Sequence, residues 1–164
     1  IIASYEGRLE SALILTAFIP MLMGTGGNAG GQTSVAIIRA LSLGEVELKN
    51  VFRVFWKELR VGVLCGATLA VATFVKVMAI DFRFQIYSTS TSGEVQNNLI
   101  IALAICATVF SAIVVAKAVG TLLPLGAKKI GLDPAVMASP FITTIVDTVT
   151  LMIYFAIASA LLGI

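Results

Sequence analysis

Residues Pro134 to Ile164 read PAVMASPFITTIVDTVTLMIYFAIASALLGI, and Asp147 is the only charged side chain among them. A helix needs about 20 mainly apolar residues to cross the hydrocarbon core of a bilayer, and this run is longer than that. A carboxylate near the middle of such a span costs about 2.5–3.5 kcal/mol on insertion scales, so it belongs in a bundle interior or beside water. On a helix, Thr143, Thr144, Thr150, Tyr154 and Ser139 fall on roughly the same face as Asp147. A stripe of hydroxyls passing one carboxylate reads as a cation pathway. The alternative is a structural ion pair of Asp147 with Lys117 or Lys76.

Three further apolar runs precede this one. Ser11 to Ile38 is free of charge. Leu59 to Ile80 carries Arg60 at one end and Lys76 near the other, and Leu99 to Leu123 carries Lys117 near its C-terminal end. The expectation is an all-α, polytopic transmembrane helix bundle with about four spans. Composition agrees: the 164 residues are 59% hydrophobic and 12% charged, against about 45–50% and 25% in soluble domains. Mean hydropathy is +1.02. A disordered chain is excluded. The net charge of +2 argues against a nucleic-acid partner. The sequence contains no His, which removes the commonest general base and metal ligand. Cys65 and Cys106 lie in apolar runs at a spacing that matches no metal motif.

The connecting stretches are Arg39–Glu58, Asp81–Asn98 and Pro124–Asp133, of which Tyr87–Asn98 has the composition of a polar loop. Arg39, Lys49, Arg53, Lys57 and Arg60 fall on one side with Lys128 and Lys129, while Arg8 and Arg83 fall on the other. The positive-inside rule therefore places the basic loops in the cytoplasm and both termini outside. The opening residues show no signal peptide, so an outside N-terminus suggests a further span upstream. The segment Glu45–Lys57 is amphipathic, as expected of an interfacial helix leading into the second span.

Gly24 to Gln32, GTGGNAGGQ, follows Pro20 inside the first run. Glycine costs a helix about 1 kcal/mol per residue relative to Ala. Loosened backbone at membrane depth is tolerated only on protein or around a cavity. This stretch is read as bringing backbone carbonyls, Asn28 and Gln32 to a pathway. Gly26/Gly30 and Gly27/Gly31 are also spaced for close helix contact. Asp133, just before Pro134, reads equally as an N-cap or as an ion site at the mouth of the last span. Carboxylate, hydroxyl, amide and carbonyl oxygens suit hard ions such as Mg²⁺, Ca²⁺ or Mn²⁺. Mg²⁺ keeps much of its water and is held by one or two carboxylates. One Asp per chain, doubled by a twofold axis, supplies two, which makes a homodimer the economical assembly.

Two long blocks, PMLMGTGGNAGGQTSVAIIRALSLGEV (Pro20–Val46) and GLDPAVMASPFITTIVDTVTLMIYF (Gly131–Phe155), resemble the membrane domain of the MgtE family of magnesium channels and transporters. The resemblance implies a homodimer in the lipid bilayer of the cell membrane, with its pore on the symmetry axis. It further implies that Asp147 holds hydrated Mg²⁺, that Asp133 is a metal site at the cytoplasmic end, and that Gly27, Gly31 and Thr143 line the pore. Asn28, Gln32, Ser139 and Thr144 join that lining on the residue reading. Many relatives carry Asn where this chain has Gly31, which removes one amide from the path. The family's first span and cytosolic sensor domains have no counterpart here, so residues 1–164 are expected to form one transmembrane pore domain. The expected function is Mg²⁺ passage into the cytoplasm, with an ion-coupled secondary transporter of divalent cations as the alternative. A non-conducting scaffold would explain the small-residue pairs but not the lone acid. No nucleophile–base pair suggests an enzyme.

Overall fold

The computed structural model describes residues 13–82, 94–137 and 139–162, and among these every regular element is helical. Four long helices follow in order: α1, Leu13–Ser42; α2, Val51–Lys76; α3, Glu94–Lys129; and α4, Ser139–Leu162. A 3-10 turn, Leu48–Asn50, leads into α2 and another, Pro134–Met137, precedes α4, while α2 runs on into a π-helical turn, Val77–Phe82. In lipid, backbone N–H and C=O groups must be satisfied within the segment, and long unbroken helices do this. Three stretches, Leu48–Ile80, Leu99–Lys129 and Pro140–Leu161, are long and apolar enough to cross a membrane. α1 has the length, 30 residues, but its glycines, Asn28 and Gln32 dilute its apolar character.

α1 is continuous through both Pro20 and the Gly-rich stretch. The expected loosening of backbone there does not occur, so those carbonyls stay within the helix. The helix is held by what it packs against, because tertiary contact outweighs intrinsic propensity. Thr25 and Thr33 return their hydroxyls to the carbonyls of Met21 and Ala29 at 2.7 and 3.0 Å.

α1 and α3 end in the same way. The N–H of Gly44 donates to the carbonyl of Leu41 and that of Glu45 to Ala40, at 3.4 and 3.0 Å; Gly131 and Leu132 repeat the pattern on Lys128 and Ala127 at 3.2 and 2.9 Å. This double bond closure needs a left-handed residue, and Gly44 and Gly131 provide it with φ of 73° and 80°.

Several boundaries differ from expectation. α3 begins at Glu94, so Glu94–Asn98 is helix and not loop. At its other end α3 continues beyond Leu123 through Pro124 to Lys129; a proline forfeits one hydrogen bond, which a helix already packed on neighbours tolerates. The helix expected within Glu45–Lys57 is present from Val51, after the 3-10 turn Leu48–Asn50, and runs unbroken into α2. The last helix starts at Ser139, because Pro134–Met137 forms a 3-10 turn.

α3 is the central helix. It packs against α1, α2 and α4, and α1 also packs against α4. One core cluster joins Phe18, Leu22, Ile105, Val109, Leu151 and Tyr154. A second, toward the other end, joins Ile37, Leu41 and Leu125. Between them Ala116, Ile142 and Val146 pack where the helices come closest. There a methyl placed on Gly120 would stand 2.5 Å from the carbonyl oxygen of Gly30.

α2 lies on the outside, and its only buried residues are Gly62 and Gly66. They rest on Lys117 and Phe110 of α3. Lys117 is therefore committed to α2: its Nζ donates to Glu58 Oε2 at 3.3 Å, with both side chains less than one fifth exposed. Breaking such a buried pair from one side costs about 3–5 kcal/mol in soluble proteins, whereas removing both charges is far cheaper. Glu58→Gln is expected to lower the melting midpoint in detergent by several degrees. Adding Lys117→Met should recover most of the loss, and an unchanged midpoint in the single variant would show that the pair contributes nothing.

Candidate ion site between the first and last long helices

The last long helix brings Asp147 against the Gly-rich face of α1. A methyl placed on Gly27 would lie 2.8 Å from Asp147 Oδ1 and 2.8 Å from Thr143 Cγ2. Only a residue without a side chain admits the carboxylate at this place. Oδ1 of Asp147 is buried and accepts no hydrogen bond from the described residues. Neither lysine offered as an alternative partner holds it: Lys117 binds Glu58, and Lys76 sits with its Nζ 5.5 Å from the centre of the Phe18 ring. An unpaired buried carboxylate oxygen is costly in any low-dielectric setting, so this position calls for a polar partner.

The hydroxyl stripe divides. Thr150 and Tyr154 are 1% and 0% exposed. Thr150 faces the Gly26 backbone, where an added methyl would meet its Oγ1 at 2.7 Å. Tyr154 belongs to the apolar core, with its ring 5.6 Å from that of Phe155. Thr143 stays beside Asp147, while Thr144 lies on the exposed side of α4 and donates to the carbonyl of Pro140 at 2.9 Å. Ser139 opens the helix, and its side chain lies outside the described residues. The single continuous stripe expected from periodicity is thus divided: Thr150 and Tyr154 turn into the core, Thr143 toward Gly27 and Thr144 to the exposed side.

Asn28, Gly31 and Gln32 occupy the adjoining face of α1. With Val35, Ala36, Arg39, Ala40 and Glu45 they line a groove of about 550 Å³. Asn28, Gln32, Val35, Ala36 and Arg39 are all exposed. Arg39, expected only as a loop cation, and Glu45 join this groove; Arg39 lies seven residues after Gln32 and so falls on its face. Asp133 stands apart from this group. It is exposed, and its Oδ1 accepts the N–H of Ala135 at 2.9 Å, an N-cap to the 3-10 turn. Among the described residues no three His, Cys, Asp or Glu side chains gather as a metal cage.

Long apolar helices packed through glycines, with one half-buried carboxylate set between two of them, define a multi-pass helical membrane protein. Residues 19–157 match the MgtE family model, described as a divalent cation transporter, and the chain belongs to that family. It is similar to proteins named magnesium transporter MgtE from three bacteria. It is 33% identical to that of Thermus thermophilus over 162 residues, or 99% of this chain and 32% of the relative. It is 34% identical to that of Enterococcus faecalis over 159 residues, or 97% of this chain and 32% of the relative. With the Bacillus subtilis protein it shares 30% identity over 160 residues, 98% of this chain and 32% of the relative. The chain thus spans about a third of the length of these curated relatives.

Proposed function

We propose that this chain forms the pore domain of a magnesium transporter, a channel-like homodimer in which Asp147 holds hydrated Mg²⁺. The observation that carries the reading is the buried, unpaired Oδ1 of Asp147 against Gly27. Three relatives named as magnesium transporters supply the ion. One carboxylate per copy suits Mg²⁺, which dehydrates reluctantly and is held through its water by one or two acids. Thr143, Thr144, Ser139, Gly27 and Gly31 then line the path, with Asn28 and Gln32 offering amide oxygens.

The homodimer follows from the exposed face of α1. Asn28 and Gln32 in contact with lipid tails would leave amide groups unsatisfied. A second copy across a twofold axis covers them and sets two Asp147 carboxylates on one path. Asp133 is assigned as a metal site at the cytoplasmic mouth, using the carboxylate oxygen that its N-cap leaves over. The domain comprises residues 1–164 and sits in the cell membrane, with the basic loops in the cytoplasm and both termini outside.

The test is flux into liposomes loaded with a Mg²⁺-sensitive dye. An inward Mg²⁺ gradient alone is expected to drive uptake at least tenfold above empty vesicles. No uptake without an opposing proton or sodium gradient would shift the assignment to an ion-coupled secondary transporter, in which the lone carboxylate is a protonation switch. No uptake under either condition rejects transport by this chain. The dimer has its own check: Val35→Cys, in a background with Cys65 and Cys106 replaced by Ser, should cross-link to a dimer on mild oxidation in membranes. A chain that remains monomeric would remove the shared axis.

A further inference from the structure

The opening turns of α2 carry a second surface that the ion path does not use. Arg53, Lys57 and Arg60 are exposed, and spacings of four and three residues place them on one side of the helix. Phe52 and Trp56 stand beside them, 80% and 51% exposed. Glu58 is the only acid in α2, and it turns inward to bind Lys117. The one group on the helix able to neutralise this face is therefore withdrawn from it. Lys49, just upstream, is paired with Glu47 at 2.7 Å. Arg53, Lys57 and Arg60 have no hydrogen bond or ion pair among the described residues.

Depth fixes what such a face meets. From Val61 to Ile80, at about 1.5 Å per residue, the helix covers about 30 Å, the thickness of the hydrocarbon core. Arg60 and the residues before it then fall at the headgroup level, where Trp side chains also settle. The outer side of α2 below them is apolar and exposed at Val63, Leu64, Val71 and Val75, so acyl chains can run along it.

We propose that this face is a binding site for an anionic phospholipid, whose headgroup phosphate is held by Arg53, Lys57 and Arg60 while Trp56 packs on its glycerol region. The charge complementarity is direct: three guanidinium or ammonium groups without a counter-ion among the described residues sit at the depth of the lipid phosphates. Arginine in particular meets phosphate with paired donors. The site depends on the chain spanning a bilayer and not on the assignment of its ion.

The experiment is native mass spectrometry of the purified chain in detergent, with phosphatidylglycerol or phosphatidylcholine added at equal concentration. The expected result is selective retention of phosphatidylglycerol. Each basic residue near an anionic surface contributes about fivefold, so the Arg53→Gln, Lys57→Gln, Arg60→Gln variant should lose about a hundredfold in relative retention. Lys129→Gln, which removes a cation elsewhere, should leave it unchanged. Circular dichroism and elution volume check that the variants are folded. Equal retention of both lipids by the unaltered chain overturns the proposal, as does a triple variant that keeps its preference. Phosphatidylglycerol lost equally with Lys129→Gln would reduce the effect to net charge and overturn it too. Cross-linking of two copies through Lys57→Cys would reassign the face to a protein interface. None of these readouts requires transport, so failure here leaves the ion path untouched, and failure of the flux assay leaves this site standing.

Discussion

Asp147→Ala is expected to abolish Mg²⁺ uptake while leaving the protein folded, and its effect on stability should run opposite to its effect on flux. In most sites, deleting a buried charged group destabilises because a partner is left behind. Here Oδ1 has no partner among the described residues to leave. Removing the half-buried carboxylate relieves the desolvation of its one covered oxygen, offset by the small space vacated beside Gly27. The melting midpoint in detergent without Mg²⁺ should therefore be unchanged or higher than in the unaltered chain. Flux should fall by at least a hundredfold, and a strain lacking its own Mg²⁺ uptake should not be rescued although the variant reaches the membrane. Mg²⁺ added to the unaltered chain should raise its midpoint through preferential binding to the folded form, and this rise should vanish in the variant. Asp147→Asn keeps the size and removes the charge; an active Asn variant would assign the position to packing. Normal rescue by Asp147→Ala would reject the pore role outright. A lowered midpoint would instead mean that the carboxylate has a structural partner.

The helices were legible because a charge-free or nearly charge-free run of more than about 20 residues has few other folds open to it. Asp147 stands out in the sequence as the lone acid in its span, and the structure sets it against Gly27. What the sequence could not show is which residues share a contact. Periodicity placed Thr143, Thr150 and Tyr154 on one face of α4, but a helix packed between two neighbours divides a face. Thr150 and Tyr154 turn to the core, whereas Thr143 meets Gly27.

The glycines were legible as packing positions but not as a continuous helix. Read alone, Gly24 to Gln32 looks too weak to hold a helix. Within the bundle, Gly26, Gly27 and Gly30 are the places where α4 comes close, and the contacts they permit keep the helix intact. The pairing of Lys117 was out of reach of the sequence, since Glu58 lies 59 residues away and belongs to a helix that was expected to begin only after it. Asp133 shows the opposite limit. An Asp before Pro was readable as a cap, and the structure supplies that bond, which uses one carboxylate oxygen and leaves the other over.

Gly27→Ala is the substitution that should cost most flux for the least change in mass. The added methyl would stand 2.8 Å from both Asp147 Oδ1 and Thr143 Cγ2, well inside the usual carbon–carbon and carbon–oxygen contact distance of about 3.5–4.0 Å. Both neighbours are side-chain atoms, so they can turn aside, and the carboxylate is then displaced from its place on the proposed path. Alanine also favours the helix by about 1 kcal/mol over glycine, which offsets part of the crowding. The expected outcome is at least a tenfold loss of flux with a melting midpoint within a few degrees of the unaltered chain. Two other glycines calibrate the result. Gly24 has nothing within 4 Å of an added methyl, so Gly24→Ala should be active and slightly more stable. At Gly120 the obstructing atom is the backbone oxygen of Gly30, 2.5 Å away. Backbone inside a packed helix cannot turn aside, so Gly120→Ala should force α1 and α3 apart and lower stability sharply along with flux. Three chemically identical substitutions thus separate three causes: propensity at Gly24, fold at Gly120, and the setting of Asp147 at Gly27. Full activity of Gly27→Ala at normal stability would show that ions do not pass where the last long helix meets the first.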